Sequence, residues 1–486
     1  MADLQQGTPI TPQSIFHVAS VSKQFAAIAV AGLAQDGKLS LDDDVRKHIP
    51  ELPAEHPRYT VRQLMYHTAG VRDHWELLGY AGWRYPSDLF TNDDVMDILV
   101  RQKALNFNPG DEWIYSNGGY TLLAVIAERI AGKSLRALSD ERIFKPLGMT
   151  RTHVHDDHTF VVPGRTAAYQ EVNGVWKSSI PQFDTHGATS LFTTVEDLLK
   201  WQHNFETGQV YGKALLREAE TSGVLNDGRS INYGYGVSVG TYRGTPALGH
   251  GGADAGYRAD VVRFPAHGLD VAVACNFAAA TPNVLSRGVA DIVIGDKLAP
   301  APVVEPKEVT GARAEAIAGT YRSSRSDLAT VFRVREGKLV LGPMGPGFPV
   351  NAIDDSRIRM GGNEGVFVGP AGGAPVALRV LDGGKLADSL VRMAPFEPNR
   401  AALAQYVGDY WSDELRVSYR IEQGDSGLVV KTYKHGSFPM RPLYQDAFQA
   451  QRPGTIRFVR TGGKVTGFRV SGGRVRNVVF TRGTRP

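Results

Sequence analysis

Cysteine is almost absent from this chain of 486 residues, and its scarcity limits the disulfides and metal sites that the chain can form. A disulfide needs two cysteines, so the single residue Cys275 excludes an intrachain disulfide and any cysteine-based metal site. Long apolar runs are missing too, because no stretch approaches the ~18 residues that a membrane-spanning helix requires. Residues 1–11 lack the basic and apolar regions of a signal peptide, so the sequence as given predicts no export signal.

An excess of one sign of charge is also lacking, since 54 lysines and arginines are interspersed with 50 acidic residues for a net charge of +4. Without a basic tract, this balance gives no reason to expect nucleic-acid or membrane-surface binding. The hydrophobic content of 42% and the charged content of 21% are typical of folded globular proteins. A chain of this length exceeds what one core supports, so we expect two or three domains.

Helical and strand patterns occupy separate parts of the chain before residue 299. Capping residues and apolar residues at helical spacing predict helices within Ser20–Asp36, Thr60–His67, Asn117–Ile130 and Thr194–Phe205. Alternating, β-branched or aromatic stretches then predict an antiparallel meander over Tyr233–Tyr242, Thr245–Gly251, Gly256–Phe264 and Leu269–Phe277. The stretch Val284–Leu298 predicts a helix that covers one face of this sheet.

A proline-rich stretch after residue 298 marks the clearest domain boundary. Beyond it the sequence has short strands, glycine turns and an internal repeat, in which Ala318–Ser323 recurs as Val407–Ser412. Tandem β-barrels are the economical interpretation, because closure hides strand edges. We therefore predict a catalytic domain over residues 1–298, a linker over 299–308, and two small antiparallel β-barrels over 309–397 and 398–486.

The first candidate site lies at the start of the first helix, where Lys23 follows Ser20 by three residues. Residues three apart share a helix face, so the Lys23 amine can reach the Ser20 hydroxyl. The N–H groups and dipole at a helix N-terminus favour a developing negative charge. One turn could therefore supply a nucleophile, a proton acceptor and an oxyanion site. The alternative is an N-capping serine followed by a surface lysine.

Two further motifs lie where a lysine-assisted serine hydrolase needs them. In Tyr115-Ser116-Asn117, a phenol near Lys23 could act as general base on Ser20, and Asn117 could hold the lysine or a substrate amide. The second motif is His250-Gly251-Gly252-Ala253. Its glycines would let a substrate backbone approach the strand edge, and the Ala253 N–H could pair with that of Ser20 as an oxyanion hole. Taken singly, the motifs also fit helix capping and a turn.

Together and in this order, the three motifs resemble the penicillin-recognising serine hydrolases of the class C β-lactamase type. This group includes D-alanyl-D-alanine carboxypeptidases, D-aminopeptidases and family VIII esterases. Further stretches look like the family at Met65–Val71, Phe107–Gly110, Pro146–Met149 and Tyr233–Gly236. The resemblance covers residues 8 to about 298, and the appended barrels are similar to the layout of three-domain D-aminopeptidases. It implies an α+β fold, in which an antiparallel sheet flanked by helices and a helical subdomain precedes the two barrels.

The resemblance also implies roles for the motif residues. Ser20 is then the nucleophile of an acyl-enzyme mechanism, and Lys23 and Tyr115 share the proton transfer. The substrate-binding and oxyanion positions are Asn117, His250, Gly251, Gly252 and Ala253. No metal or organic cofactor is implied. The expected substrates are D-amino-acid-containing peptides or amides; the alternatives are a family VIII type carboxylesterase and, in a different class, a non-catalytic peptide- or muropeptide-binding protein.

Two departures from the family pattern change the expectations. His250 stands where many members have the lysine of K-T-G, so we expect weak or no β-lactamase activity. The family's N-terminal β-hairpin is absent, and we expect it to have been lost together with any export signal. Localisation is extracytoplasmic if such a signal existed and cytoplasmic otherwise. The strand Val271–Phe277 would then be an uncovered edge, and we expect homo-oligomers to form through it.

Several polar residues stay outside this scheme. The stretch 153–158 fits H-x-H-x-D-H, a spacing suited to zinc, but its context differs from that of metallo-β-lactamases, so we predict no metal site there. Asp254 and Arg258 follow the histidine–glycine motif and either line the cleft or are loop residues. We expect structural or solvent-facing positions for the remaining histidines considered, His67, His74, His186 and His203.

Overall fold

The structure, a computed structural model, describes residues 1–301, 307–370 and 372–484. The chain divides into two compact units, Met1–Gly79 with Trp83–Pro302 and Tyr80–Gly82 with Val303–Pro486. Part of the predicted linker over 299–308, residues 302–306, lies outside the described residues. The boundary between the predicted barrel domains at 397 and 398 stays a prediction.

The first unit contains ten α-helices among its described residues. Thr60 and Thr194 cap two of them as the sequence predicts, and Ser116 caps α5; each side chain accepts a hydrogen bond from an N–H group of the first turn. No helix in the described part of the chain combines the length and apolar character that a bilayer crossing needs. The helices are α1 Ser22–Gln35, α2 Val61–Met65, α3 His74–Tyr80, α4 Asn92–Val100, α5 Asn117–Ala131, α6 Leu135–Ser139, α7 Lys145–Leu147, α8 Val195–Thr207, α9 Gly212–Ala219 and α10 Pro282–Val293.

Helix α1 lies at the centre of this unit and is buried from Ser22 to Leu33. Its alanine-rich sequence is apolar on all sides, which is typical of a helix enclosed by other elements. The α-helix begins later than the sequence predicts, because Ala19–Val21 forms a 3-10 turn before it. Ala19 has a φ of 48°, a left-handed conformation that is uncommon outside glycine. Ser20 therefore lies in a tight turn that leads into the helix.

The strands of the first unit are β1 Phe16–His17, β2 His153–Val154, β3 Tyr169–Val172, β4 Val175–Ser178, β5 Leu191–Thr193, β6 Ser238–Tyr242, β7 Thr245–Asp254, β8 Tyr257–Phe264 and β9 Leu269–Cys275. The predicted meander forms an antiparallel sheet in the order β6-β7-β8-β9. β6 begins at Ser238 rather than Tyr233, because the backbone turns at Gly236, whose φ is 71°. A Cβ at Gly236 would lie 2.5 Å from the Gln24 nitrogen, so only glycine allows this approach to α1.

Strand β9 is an edge strand, since β8 is its neighbour on one side and no named strand of the described chain lies on the other. β1 pairs with β5 rather than with β9. Helix α10 covers one face of the sheet, where Ala290 and Ile294 pack with Val262 and Val271. Its outward face is apolar and exposed at Val284, Leu285, Ile292 and Val293. The predicted loss of an N-terminal hairpin stays a prediction.

The second unit contains two antiparallel β-structures. A ten-stranded sheet runs in the order β10-β15-β16-β17-β18-β19-β11-β12-β13-β14, and a bridge from Thr310 to Lys338 brings the β10 end towards β13, so that the sheet is nearly closed. Strands β20 to β27 form a closed barrel. The short helices are α11 Gly311–Ile317 and α12 Arg400–Leu403. The strands are β10 Lys307–Glu308, β11 Gly319–Ser323, β12 Ala329–Arg335, β13 Lys338–Leu341, β14 Phe348–Pro349, β15 Asn351–Ala352, β16 Arg357–Met360, β17 Asn363–Val368, β18 Ala377–Asp382, β19 Lys385–Arg392, β20 Gly408–Ser412, β21 Val417–Gly424, β22 Gly427–Thr432, β23 Gly436–Tyr444, β24 Ala447–Gln449, β25 Thr455–Thr461, β26 Lys464–Ser471 and β27 Val478–Arg482.

The repeated sequence folds in the same way in both structures. Tyr321 and Tyr410 are fully buried, and each hydroxyl donates to the carbonyl four residues earlier, at 2.9 and 2.7 Å. Arg392 lies over the first ring and Arg482 over the second, at 5.8 and 5.9 Å. Equivalent residues in the repeat therefore have equivalent contacts.

Candidate active site

Ser20 and Lys23 lie one turn apart, and the Lys23 Nζ is 3.2 Å from the Ser20 Oγ. Lys23 is fully buried, which is uncommon for lysine unless its amine has hydrogen-bond partners. Its Nζ donates to the Asn117 Oδ1 at 2.8 Å and to the Ala188 carbonyl at 2.7 Å. The structure thus joins the serine–lysine motif to the first residue of α5.

These contacts suit two protonation states of Lys23. Both carbonyl oxygens can only accept hydrogen bonds, so each takes one N–H. The third direction faces the Ser20 hydroxyl, which both donates and accepts. An ammonium group donates to the Ser20 Oγ, whereas a neutral amine accepts the Ser20 proton. The geometry therefore serves the lysine both before and after a proton transfer.

Asn117 is held in place by Asp73, a buried residue that sequence reasoning missed. The Asp73 Oδ2 accepts both the backbone N–H and the side-chain Nδ2 of Asn117, at 2.8 Å each. A carboxylate oxygen only accepts, so this contact fixes the amide with its Oδ1 towards Lys23. Asp73 precedes Asn117 by 44 residues, and no local pattern links the two.

Tyr115 lies next to Lys23 and His250, as the three-motif interpretation requires. The Lys23 Nζ is 4.7 Å from the centre of the Tyr115 ring, and the His250 ring centre is 6.1 Å from it. The His67 ring also packs against the Tyr115 ring, with 4.3 Å between the ring centres. Its Nδ1 accepts the Ser116 N–H at 3.1 Å. His67 is buried, which agrees with the structural position expected for it.

His250 is a neutral residue in this structure. Its Nδ1 lies 2.6 Å from the Gly251 carbonyl and must carry the proton, so its Nε2 accepts from the Tyr233 hydroxyl at 2.9 Å. Burial, assisted by the nearby Lys23 cation, lowers the pKa of His250 to about 4. At neutral pH this position therefore offers no positive charge to an anionic substrate group.

The strand that carries His250 has an open edge beside the Ser20 turn. The pairing of β6 with β7 ends at Ser238 and Gly249, so β7 continues to Asp254 with no strand of the described chain on that side. A Cβ at Gly252 would lie 2.2 Å from the Val18 carbonyl oxygen, so the strand and the turn touch through a glycine. Gly251 and Ala253 are exposed.

The histidines of the stretch 153–158 do not gather around one point. The His153 Nε2 lies 3.2 Å from the His155 Nδ1, but the His158 Nδ1 lies 2.9 Å from the Asp184 Oδ2. Among the residues that the structure describes, no group of three or more ligand side chains could hold a metal ion.

The described geometry agrees with comparisons to known proteins. Residues 1–294 match the Beta-lactamase family. The chain is 28% identical to a D-aminopeptidase of Brucella anthropi over 53% of this chain and 48% of that protein, so it spans about half of that relative's length. It is 27% identical to a D-aminopeptidase of Cereibacter sphaeroides over 99% of this chain and 92% of that one. An octameric penicillin-binding protein homologue from Pyrococcus abyssi shares the fold, with a TM-score of 0.55 and 20% identity over 80% of this chain and 91% of that chain.

The family match spans more than half of the chain and includes all eight candidate site residues. The same residues form the buried serine–lysine contact and the open strand edge beside it. This chain therefore belongs to the β-lactamase family of serine hydrolases.

Proposed function

We propose that the protein hydrolyses D-amino-acid-containing peptides or amides through an acyl-enzyme on Ser20. The observation that carries this proposal is the 3.2 Å contact between the Lys23 Nζ and the Ser20 Oγ, with two carbonyl oxygens fixing the amine. A hydroxyl activated by a neighbouring base is the usual requirement for covalent catalysis by serine. The contact supplies the nucleophile and one route for its proton.

The reaction then has two steps. The Ser20 Oγ attacks the substrate carbonyl carbon, its proton passes to Lys23 or Tyr115, and the leaving amine takes up a proton as the carbon–nitrogen bond breaks. A water molecule hydrolyses the resulting ester and restores the Ser20 hydroxyl. We assign the oxyanion position in both steps to the N–H groups of Ser20 and Ala253, because Ala253 lies on the part of β7 beyond Gly249, where β6 no longer pairs with it.

The substrate class rests on two independent supports. Relatives along this chain are named D-aminopeptidases. The neutral His250 lacks the cation that would bind the carboxylate of a β-lactam, which supports weak or no β-lactamase activity. A family VIII type carboxylesterase shares the same acyl-enzyme chemistry and is the second candidate. A non-catalytic binding protein has no need of the buried Lys23 beside Ser20.

A substrate panel tests this proposal. We expect hydrolysis of D-alanine p-nitroanilide to exceed that of the L form and of nitrocefin, and we expect Ser20→Ala to lower the rate by about 10³-fold or more. Mass spectrometry of wild-type protein mixed with substrate should show the acyl mass on the peptide that contains Ser20. Activity confined to p-nitrophenyl esters would favour the esterase, and wild-type activity in Ser20→Ala would contradict the mechanism.

We also propose that the protein self-associates through the edge formed by β9 and α10. β9 has a strand neighbour on one side, and Ile292 and Val284 of α10 are 87% and 61% exposed. Sedimentation velocity at rising concentration should show association that Ile292→Glu weakens. Val224→Glu, which changes an exposed valine outside this edge, is the matched control. A monomer at all concentrations would refute this interface.

A further inference from the structure

We propose that Asp254 binds the free α-ammonium group of the substrate and so restricts the enzyme to substrates with an unblocked amine next to the scissile carbonyl. This inference rests on the proposed function, because it assigns the acyl side of a substrate attached to Ser20. It distinguishes an aminopeptidase or amino-acid amidase from a carboxypeptidase.

Asp254 lies on the same face of β7 as His250 and Gly252. Side chains alternate along a strand, and the burial of β7 follows that alternation, with residues 250, 252 and 254 buried and 251 and 253 exposed. Gly252 is the residue that touches the Ser20 turn, and Asp254 follows the proposed oxyanion residue Ala253 directly. The Asp254 side chain therefore leaves the strand on the same side as the contact with Val18, in the turn that leads to Ser20.

The groups that hydrogen-bond to the carboxylate of Asp254 are neutral. The Tyr85 hydroxyl donates to its Oδ1 at 2.6 Å, and the Thr189 hydroxyl donates to its Oδ2 at 3.0 Å. The His17 Nε2 is 3.8 Å from the Oδ2, beyond hydrogen-bond distance, and contacts the Thr189 hydroxyl at 3.0 Å instead. Burial also lowers the pKa of His17 to about 3, so this ring is uncharged at neutral pH.

Among the described residues, the two cations nearest to this carboxylate, Lys23 and Arg258, bond to other groups. In the described part of the chain, no lysine or arginine forms an ion pair with Asp254. Lys23 is nearby but donates to the Asn117 and Ala188 oxygens, and Arg258 donates to the backbone carbonyls of Ala255 and Tyr257.

A buried carboxylate without a paired cation is costly, and burial raises the pKa of Asp254 to about 6. At neutral pH the carboxylate is therefore mostly ionised, with the charges of Lys23 and Arg258 nearby but no lysine or arginine of the described chain in an ion pair with it. A substrate ammonium would supply a paired positive charge and form a charge-assisted hydrogen bond.

Tyr85 covers the Asp254 Oδ1 with its hydroxyl and reaches the surface with the rest of its ring. Its side chain is 51% exposed, while its hydroxyl also accepts the Ala255 N–H. A rotation of this phenol opens the Asp254 Oδ1 to a ligand. Trp75 packs edge-on against the same ring at 5.3 Å, so an aromatic wall borders the amine position. The neutral His250 offers no partner for a substrate carboxylate, and the face therefore selects cations rather than anions.

The test compares D-alanine p-nitroanilide with its N-acetyl form. In the wild type we expect the free amine to be preferred by about tenfold or more in kcat/KM, the value of one charge-assisted bond. Asp254→Asn should remove this preference while leaving the N-acetyl rate within about threefold. An equal loss for both substrates would assign Asp254 a structural role and overturn the proposal.

Two further measurements keep the test independent of folding defects. In the wild type, the ratio of the two kcat/KM values should fall below about pH 6, where Asp254 is protonated, and above about pH 8, where the substrate amine loses its charge. Tyr85→Phe keeps the carboxylate and should keep the preference. A ratio that does not change with pH, or a Tyr85→Phe enzyme without preference, would overturn the proposal.

The matched control is Asp260→Asn on β8. Asp260 is as buried as Asp254 but bonds to Ser286 and Arg287, so its replacement should change both substrates equally. Activity towards p-nitrophenyl acetate separates this inference from the proposed function. If that activity depends on Ser20 and the amine preference is absent, the mechanism stands and the amine site is refuted.

Discussion

Lys23, Asn117 and Asp73 form a chain of hydrogen bonds that runs from the nucleophile into the core. Each contact measures 2.8 Å, and Asp73 is fully buried at its inner end. A lysine amine has three donor directions, and without acceptors in fixed places it would point its protons variably. The Asp73 carboxylate fixes the Asn117 amide, and the amide in turn directs the amine towards Ser20. Asp73 is thus a positioning residue for Lys23.

Asp73→Asn should lower kcat/KM by about tenfold, because a neutral amide replaces a charge-assisted acceptor worth about 1.5–3 kcal/mol. The substitution is informative because Asp73 also caps α3 by accepting the Trp75 N–H at 3.0 Å. Asparagine is an equally good N-cap, so the helix should persist and circular dichroism should be unchanged. Asp44→Asn is a control, since Asp44 caps a 3-10 turn. Unchanged kinetics in Asp73→Asn would show that Asn117 needs no support.

At the scale of elements, the site is the contact between the turn before α1 and strand β7. Neither element contains the whole site, since the turn carries Ser20 and the strand carries His250 and Ala253. Their separation is set where Gly252 meets the Val18 carbonyl. A strand with a side chain at this position could not approach the turn so closely.

Gly252→Ala should reduce kcat by about 100-fold or more, because a Cβ 2.2 Å from a backbone oxygen must push the strand away from the turn. Unfolding by denaturant should show a cost of about 1–3 kcal/mol, typical of overpacking. Gly240→Ala on β6 is the control, since its Cβ has no atom closer than 3.9 Å. A fully active Gly252→Ala enzyme would mean that the oxyanion position does not depend on this contact.

At the scale of the whole molecule, buried histidines make stability depend on pH. Burial lowers the pKa of six of the described histidines, to about 3 for His17 and His155, to about 4 for His74, His153 and His250, and to a smaller extent for His56. The unfolded chain therefore binds more protons than the folded chain between about pH 6.5 and pH 4. Stability is lost as the pH falls through this window. Asp254 acts in the opposite sense, because its pKa is raised to about 6.

The midpoint of thermal unfolding should therefore fall steadily from pH 7 to pH 5, because the six histidines outweigh the carboxyl groups of Asp254, Glu220 and Asp270, whose pKa burial raises. Replacing His155 by phenylalanine, which can keep the stacking on Phe192 at 4.3 Å, should flatten this dependence by about one proton. His203→Gln, at a position where the side chain is 65% exposed, should leave the dependence unchanged. A midpoint that stays constant or rises on acidification would contradict this account.

The sequence by itself determined the features that depend on short spacing. A serine and a lysine three residues apart lie on one helix face, capping residues mark where α2 and α8 begin, and alternation marks the strands of the meander. These patterns act within a few residues, so they can be read without knowing the fold. The α+β class, the family and the barrel repeat could be predicted in this way.

Tertiary structure alone decided what holds the reactive groups. Ala188 is 165 residues from Lys23 along the sequence, and Asp73 is 44 residues from Asn117. No local sequence pattern could therefore predict either contact. Packing also decides that, within the described chain, neither Lys23 nor Arg258 forms an ion pair with Asp254, since both are close by but bond to other groups. Local spacing placed the nucleophile and its lysine on one turn, whereas long-range packing set their partners, burial and charge.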